Sequence, residues 1–581
     1  MKRILYITTL LALLWSVQPS AAQVLKQVEV SKDYAPTVSQ AQKLAIIPDM
    51  TDTVKMQPEI EYSVTPRTYT TSLMTRNFRP ATIAYWDYNP HRPLYVKAAV
   101  GVPLASEADA YLSTYNKDKG YAMVYANHLG DYRNRHNIMD EKVKSHTTEM
   151  SNRVGGRAGW FMGHHTLEAD LYGDSQLRHR YPTTGERIAY GKFNGKVRFG
   201  DEFVDMSRWN FNLEAGGGVF RHKVRRYEQK PVFSQSSVEI DATIGKVLGG
   251  RHLFLMQVGY SGTFGGKEIA AYRNNSMMIG VRYGFSRPRT HMIIGADYYY
   301  DKVKSSTDSP HHILPYLHVT WKSATERFVP YAEIDGKLIR HDFSSLMYEN
   351  PFFAAETAVS PALAALPNEV KYNGRVGVGG NLARGLFSYN LSAELSFADD
   401  HVYWYTVYGY YSFVTAYQHS LRLDGSVKIR PAGWLEAELS AKVYAWENYD
   451  KLYANRPSFT TALDIRVMTR RLKVGFNLDY AGGVKWLTMP LINGAVTSVE
   501  GVAGGATDGA TDGAADGVTE PQFSYIKTRN TVSLNLCAEY RVNDRISVYA
   551  EGRNLTGSNI YEWLNYYYTT PRAMLGVKMT F

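Results

Sequence analysis

The 581-residue chain holds a single cysteine, Cys537. That excludes an intrachain disulfide and any metal or redox centre built on several thiolates. Past its amino terminus it has no apolar run long enough for a transmembrane helix. No glycine-rich phosphate loop joins a strand to a helix, and no Gly-x-Ser-x-Gly elbow occurs. His164-His165 and His311-His312 are adjacent pairs whose side chains diverge on a strand or turn, so they read as turn or loop histidines rather than metal ligands. An enzyme, a catalytic residue, a cofactor and a metal site are therefore not expected.

The start of the chain, MKRILYITTLLALLWSVQPSAAQ, places a basic pair, Lys2 and Arg3, before a short apolar core from Ile4 to Val17. Ser20-Ala21-Ala22 follows with small residues for a signal peptidase. Residues 1–22 are expected to be a cleaved signal peptide, with cleavage near Ala22. An exported chain has no obvious nucleic-acid partner. Its net charge of +10, lowered by two with loss of Lys2 and Arg3, suits anionic lipid or lipopolysaccharide as counter-charge.

Tyrosine (44) and glycine (47) are plentiful, which favours strands and tight turns over packed helices. The recurring signal is alternation with period two. Leu421, Leu423, Val427 and Ile429 alternate with Arg422, Asp424, Lys428 and Arg430. Leu435, Ala437, Leu439, Ala441 and Val443 alternate with Glu436, Glu438 and Lys442. The same holds around Asp464 and Arg466, Lys473 and Asp479, Glu539 and Arg541, and Glu551 and Arg553. Successive strand side chains point to opposite faces, so each segment has one apolar and one charged face.

The segments run about ten residues, the length of a tilted strand crossing hydrocarbon. Their connections alternate between short and long. Gly163-His164-His165, Leu248 to Arg251, Arg287 to Arg289 and Asn543-Asp544 are short. Asn134 to Ser151, Ser344 to Glu369 and Trp486 to Phe523 are long. The expected fold is all-β: a transmembrane antiparallel β-barrel of about 22 strands (range 18–22), over residues 93–581. Residues 23–92 are polar with scattered proline and are expected to form a periplasmic or lumen-inserted extension.

Within the barrel the charged set Arg422 to Arg553 is expected to face the lumen, because each Lys or Arg facing lipid costs roughly 2–4 kcal/mol near the midplane. The terminal strand carries Leu575, Val577, Met579 and Phe581 on its apolar face and is expected to pair with the first, near LYVKAAVG. Tyr298-Tyr299-Tyr300, Tyr403-Trp404-Tyr405, Tyr410, Tyr411 and Tyr566-Tyr567-Tyr568 read as interfacial belts. In GVAGGATDGATDGAADGVTE, Asp508, Asp512 and Asp516 recur every fourth residue and read as a surface loop rather than a calcium site.

The tail EGRNLTGSNIYEWLNYYYTTPRAMLGVKMTF, with Asn554-Leu555, Tyr561, Pro571-Arg572 and the final Phe581, resembles the last two strands of TonB-dependent outer-membrane receptors. The stretch YVKAAVGVPLASEADAYLSTYNKDKGYAMVYANHLGDY looks like shorter barrels of this kind from Bacteroidota. The resemblance implies solute uptake across the outer membrane, insertion by the barrel-assembly machinery, and TonB or a surface lipoprotein as a partner. The family carries a much longer amino-terminal plug, so the resemblance here is to a receptor lacking a full plug. Lys26–Pro36 can be read as a TonB-contacting box. A non-transporting scaffold subunit and a passive porin are the alternatives.

Overall fold

A computed structural model describes residues 92–581 apart from loop segments, the longest being 137–147, 355–365 and 497–522. The expected signal peptide and extension up to residue 91, Lys26–Pro36, and the loop with Asp508, Asp512 and Asp516 lie outside the described residues. Of 24 strands in the main sheet, two short ones, Lys485–Thr488 and Ser524–Lys527, form a rim hairpin. The other 22 form an all-antiparallel cylinder. It runs from Leu94–Val102 to Arg572–Thr580, and each strand pairs with its neighbour in sequence.

Closure falls where the alternation places it. Tyr95 lies opposite Thr580 and Val102 opposite Ala573. Leu94 and Phe581 exchange backbone hydrogen bonds of 2.8 and 3.1 Å. A closed sheet leaves no unpaired strand edge, which hydrocarbon requires. At Gly576 in the last strand, an added Cβ would lie 2.6 Å from the Tyr549 ring and 2.7 Å from the Ala98 carbonyl oxygen. Backbone approach at the seam therefore needs glycine. Gly576→Val is expected to lower the temperature at which the barrel unfolds on a heat-modifiability gel. An unchanged temperature would mean that the seam tolerates the clash.

The two faces separate by parity. Arg422, Asp424, Lys428 and Arg430 share a face with Lys442, Glu438 and Glu436 through direct cross-strand pairs such as Asp424 with Lys442. Register carries that face onward from Glu438 to Asp464, then to Asn477 and Asn535. The opposite parity holds Leu421, Leu423, Leu439, Val443, Leu536 and Leu575, all exposed, with Leu439 at 53% and Leu575 at 60%. Each leucine left in water would forgo up to about 2 kcal/mol of burial. Repeated around a cylinder, that favours hydrocarbon as the surroundings of this face.

Both barrel ends lie at the end where most turns are short, and the longest connections lie at the other. Several strands continue far past the ten or so residues that a bilayer needs. Phe387–Val407 and Tyr410–Ala432 run 21 and 23 residues. These tall strands explain a correction. Tyr403, Trp404, Tyr411, Tyr566 and Tyr567 are not interfacial belts, because they are buried to 1–3% exposure in packed clusters. The strands of Tyr403, Trp404 and Tyr411 rise beyond hydrocarbon depth, while Tyr566 and Tyr567 lie in a small hairpin of the last long connection; none of these rings faces headgroups.

Candidate functional site in the lumen and at its outer mouth

The charged wall is a ladder of ion pairs. Glu394 accepts from Arg422 at 2.9 Å and from Arg375, which also reaches Glu333 at 3.3 Å. Arg422 donates to Asp424 at 2.7 Å. Glu436 takes Lys428 and Arg430, each at 2.6 Å, and Lys428 lies 3.5 Å from Glu438. Glu539 accepts from Lys578 at 2.6 Å, directly across from Lys473. Glu551 pairs with Arg553. Asn477 bridges Asp464 and Asp479 at 3.1 Å each. Lys442 and Arg466 sit opposite Asp424 and Glu436. Arg541 lies at the short-turn end and is exposed.

These half-exposed pairs are each worth about 0–1 kcal/mol. Their interleaved signs hydrate and stiffen a wall without assembling one concentrated charge. The same parity in the earlier strands, which the alternation did not single out, carries Lys97 with Glu107 (2.6 Å), Arg282 with Asp297 (2.7 Å) and Lys196 with Glu214.

The outer mouth holds a feature that the sequence reading missed. The segment after Val329–Ile339 turns inward and forms a short helix, Phe343–Glu349. Asp342 caps it. The Asp342 carboxylate accepts from Ser345 N at 2.7 Å, and Ser345 Oγ accepts from Asp342 N at 2.9 Å. Phe343, Leu346, Met347, Phe352 and Phe353 are all buried to 0–1% exposure. They form one cluster with Ile188, Tyr190, Phe220 and Phe233 from three consecutive strands, with Trp404 and Tyr411 from the tall hairpin, and with Tyr566 from the last long connection. These elements lie far apart around the cylinder. One continuous cluster can touch them all only by crossing the mouth.

Phe352 stacks on Tyr566 with ring centres 3.5 Å apart. Polar anchors ring this cap. Arg180, buried to 1%, donates to the Phe353 carbonyl at 2.7 Å and pairs with Glu186 at 3.3 Å. Trp404 Nε1 donates to Glu349 at 3.0 Å, and Ser344 N donates to Gln235 at 3.2 Å. Tyr272 OH donates to the His341 carbonyl at 2.5 Å. Tyr348 OH donates to Asp174. Burial first, then the nearby Asp174 charge, raises the Tyr348 phenol well above its ordinary range, and burial does the same at Tyr272. Both phenols therefore keep their protons and remain donors at physiological pH. The arrangement is suited to occluding a lumen and shows no assembled catalytic group among the described residues.

No protein-family model and no curated protein matches the sequence. Solved structures do match the fold. The FrpB iron transporter from Neisseria meningitidis (F3-3 variant) aligns with a TM-score of 0.65 at 11% identity, over 84% of this chain and 81% of that one. The siderophore receptor PirA from Acinetobacter baumannii gives 0.62 at 10% identity, covering 84% and 80%. The copper transporter OprC gives 0.60 at 11% identity, covering 84% and 80%. At such identities the likeness is one of fold. The chain shares with them the fold of a closed 22-strand antiparallel barrel, and these neighbours are described as transporters and receptors.

Proposed function

We propose that this chain is an outer-membrane uptake barrel of the TonB-dependent-receptor-like kind, whose outer mouth is closed by the Phe343–Phe353 cap. The reading rests on the cap. A 22-strand cylinder is wide enough to conduct unless something fills it, and here an inturned loop that belongs to no barrel strand packs across the mouth. Solute captured by the long loops would displace the cap and pass along a wall of paired charges that holds no ion tightly. Under this proposal residues 1–22 are a cleaved signal peptide and 23–92 an extension preceding the barrel. The charged set from Arg422 to Arg553 hydrates the lumen wall. Lys26–Pro36 is the segment through which TonB would couple.

The density of packing in the cap favours a second reading, a permanently sealed barrel that serves as a scaffold for a surface lipoprotein. Single-channel recording of the full mature chain in planar bilayers separates the two. Gated uptake predicts a closed state with transient openings that become frequent when the cap is loosened. A barrel that stays silent with the cap loosened, and that is recovered from native membranes with a stoichiometric partner, would be a scaffold.

A further inference from the structure

The short-turn end carries a charge asymmetry that neither the lumen wall nor the cap uses. Seven successive turns, from Gly249–Arg251 to Val542–Arg545, contain only two acidic residues, Glu326 and Asp544. Five of the seven present exposed arginine, among them Arg251, Arg289, Arg327, Arg471 and Arg545. None of these five guanidiniums has a carboxylate partner among the described residues. At the long-loop end Arg135 and Arg178 are instead paired with Glu149.

The depth of these arginines is fixed by their neighbours. Where the turns meet their strands, large apolar side chains point outward. Trp321 is 43% exposed, Phe328 49%, Phe387 37% and Trp434 53%. Outward aromatics gather at the level of lipid headgroups, so the turns beside them lie at that level: Arg327 adjoins Phe328 in sequence, and the Arg289 carbonyl accepts from the N–H of Lys322, next to Trp321, at 2.7 Å. The basic turns also follow one another around much of the barrel's circumference. A single docked protein would meet one sector of such an arc, whereas lipid meets all of it.

We propose that this rim binds the anionic phospholipid headgroups of the periplasmic leaflet, holding an annulus of phosphate-bearing lipid and fixing the barrel's depth. Phosphate accepts paired N–H donors from guanidinium, which suits arginine better than lysine for this task. Each arginine near an anionic surface changes lipid retention about fivefold.

The test uses the full mature chain extracted in mild detergent and offered equal amounts of phosphatidylglycerol and phosphatidylethanolamine, with retained lipid counted by native mass spectrometry. Wild type is expected to retain phosphatidylglycerol preferentially, and less so as salt rises. The variant Arg251→Gln/Arg289→Gln/Arg471→Gln/Arg545→Gln is expected to lose that preference while keeping its heat-modifiable barrel. Lys527→Gln/Arg529→Gln, at the opposite end, is expected to keep it. Equal retention of both lipids by wild type, or an unchanged preference in the fourfold variant, would overturn the proposal. So would loss of a co-purifying acidic protein from that variant with lipid retention unaltered.

Discussion

Cells carrying Phe343→Ala/Phe353→Ala are expected to become sensitive to vancomycin, a bulky hydrophilic antibiotic that an intact outer membrane excludes. Both rings are buried to 0–1% exposure at the centre of the cap. Truncating a buried phenylalanine costs about 3–5 kcal/mol, and two such losses in one cluster exceed what a short helix and a few hydrogen bonds can offset. The wall is untouched, because neither residue belongs to a barrel strand. The variant barrel should therefore assemble in normal amount and keep its heat-modifiable band while its mouth opens. Unaltered vancomycin resistance with normal assembly would mean that the cap does not limit passage.

A second large effect is expected at Arg180. Its guanidinium is almost fully buried, donates to the Phe353 carbonyl and pairs with Glu186, itself at 3% exposure. Removing one partner of a buried ion pair leaves an uncompensated charge, at about 3–5 kcal/mol. Arg180→Ala should therefore free the cap to protease, with cleavage near Phe353 in intact cells. Replacing both partners, as in Arg180→Met/Glu186→Leu, removes the stranded charge and should restore much of the protection. If the single variant is cleaved no faster than wild type, Arg180 does not anchor the cap.

The barrel was legible because lipid imposes a rule that sequence cannot hide. Leu421, Leu423 and Leu439 on one parity and Arg422, Asp424 and Glu438 on the other leave one arrangement open in a bilayer, and the connection lengths then orient it. The seam was legible for the same reason, since the alternation in the last strand needs a partner. In the earlier strands the wall was harder to read. Runs such as RVGGRAGW interrupt the apolar face with glycine, so Arg153 and Arg157 did not stand out, although Arg157 pairs with Glu168. The cap escaped because it obeys no period-two rule. A signal for it was nevertheless present. Phe343, Leu346 and Met347 fall at helical spacing behind the capping pair Asp342 and Ser345, and Phe352-Phe353 follow in what reads as an exposed loop. Five large apolar side chains in a loop facing water need a surface to cover them. The misread tyrosines share this cause. Aromatics at long-loop ends suit a headgroup belt, but tall strands had already carried Tyr403, Trp404 and Tyr411 beyond that level.

The most direct test of the account compares two neighbouring positions in one strand. In a Cys537→Ser background, nitroxide labels at Glu438→Cys and Leu439→Cys would be placed in the full chain reconstituted in lipid vesicles, and their collision with oxygen and with a water-soluble nickel chelate measured. The account predicts that the label at 439 meets oxygen dissolved in the bilayer and escapes nickel, while the label at 438 meets nickel within the aqueous lumen. Equal accessibility at both positions, or the reverse order, would contradict it.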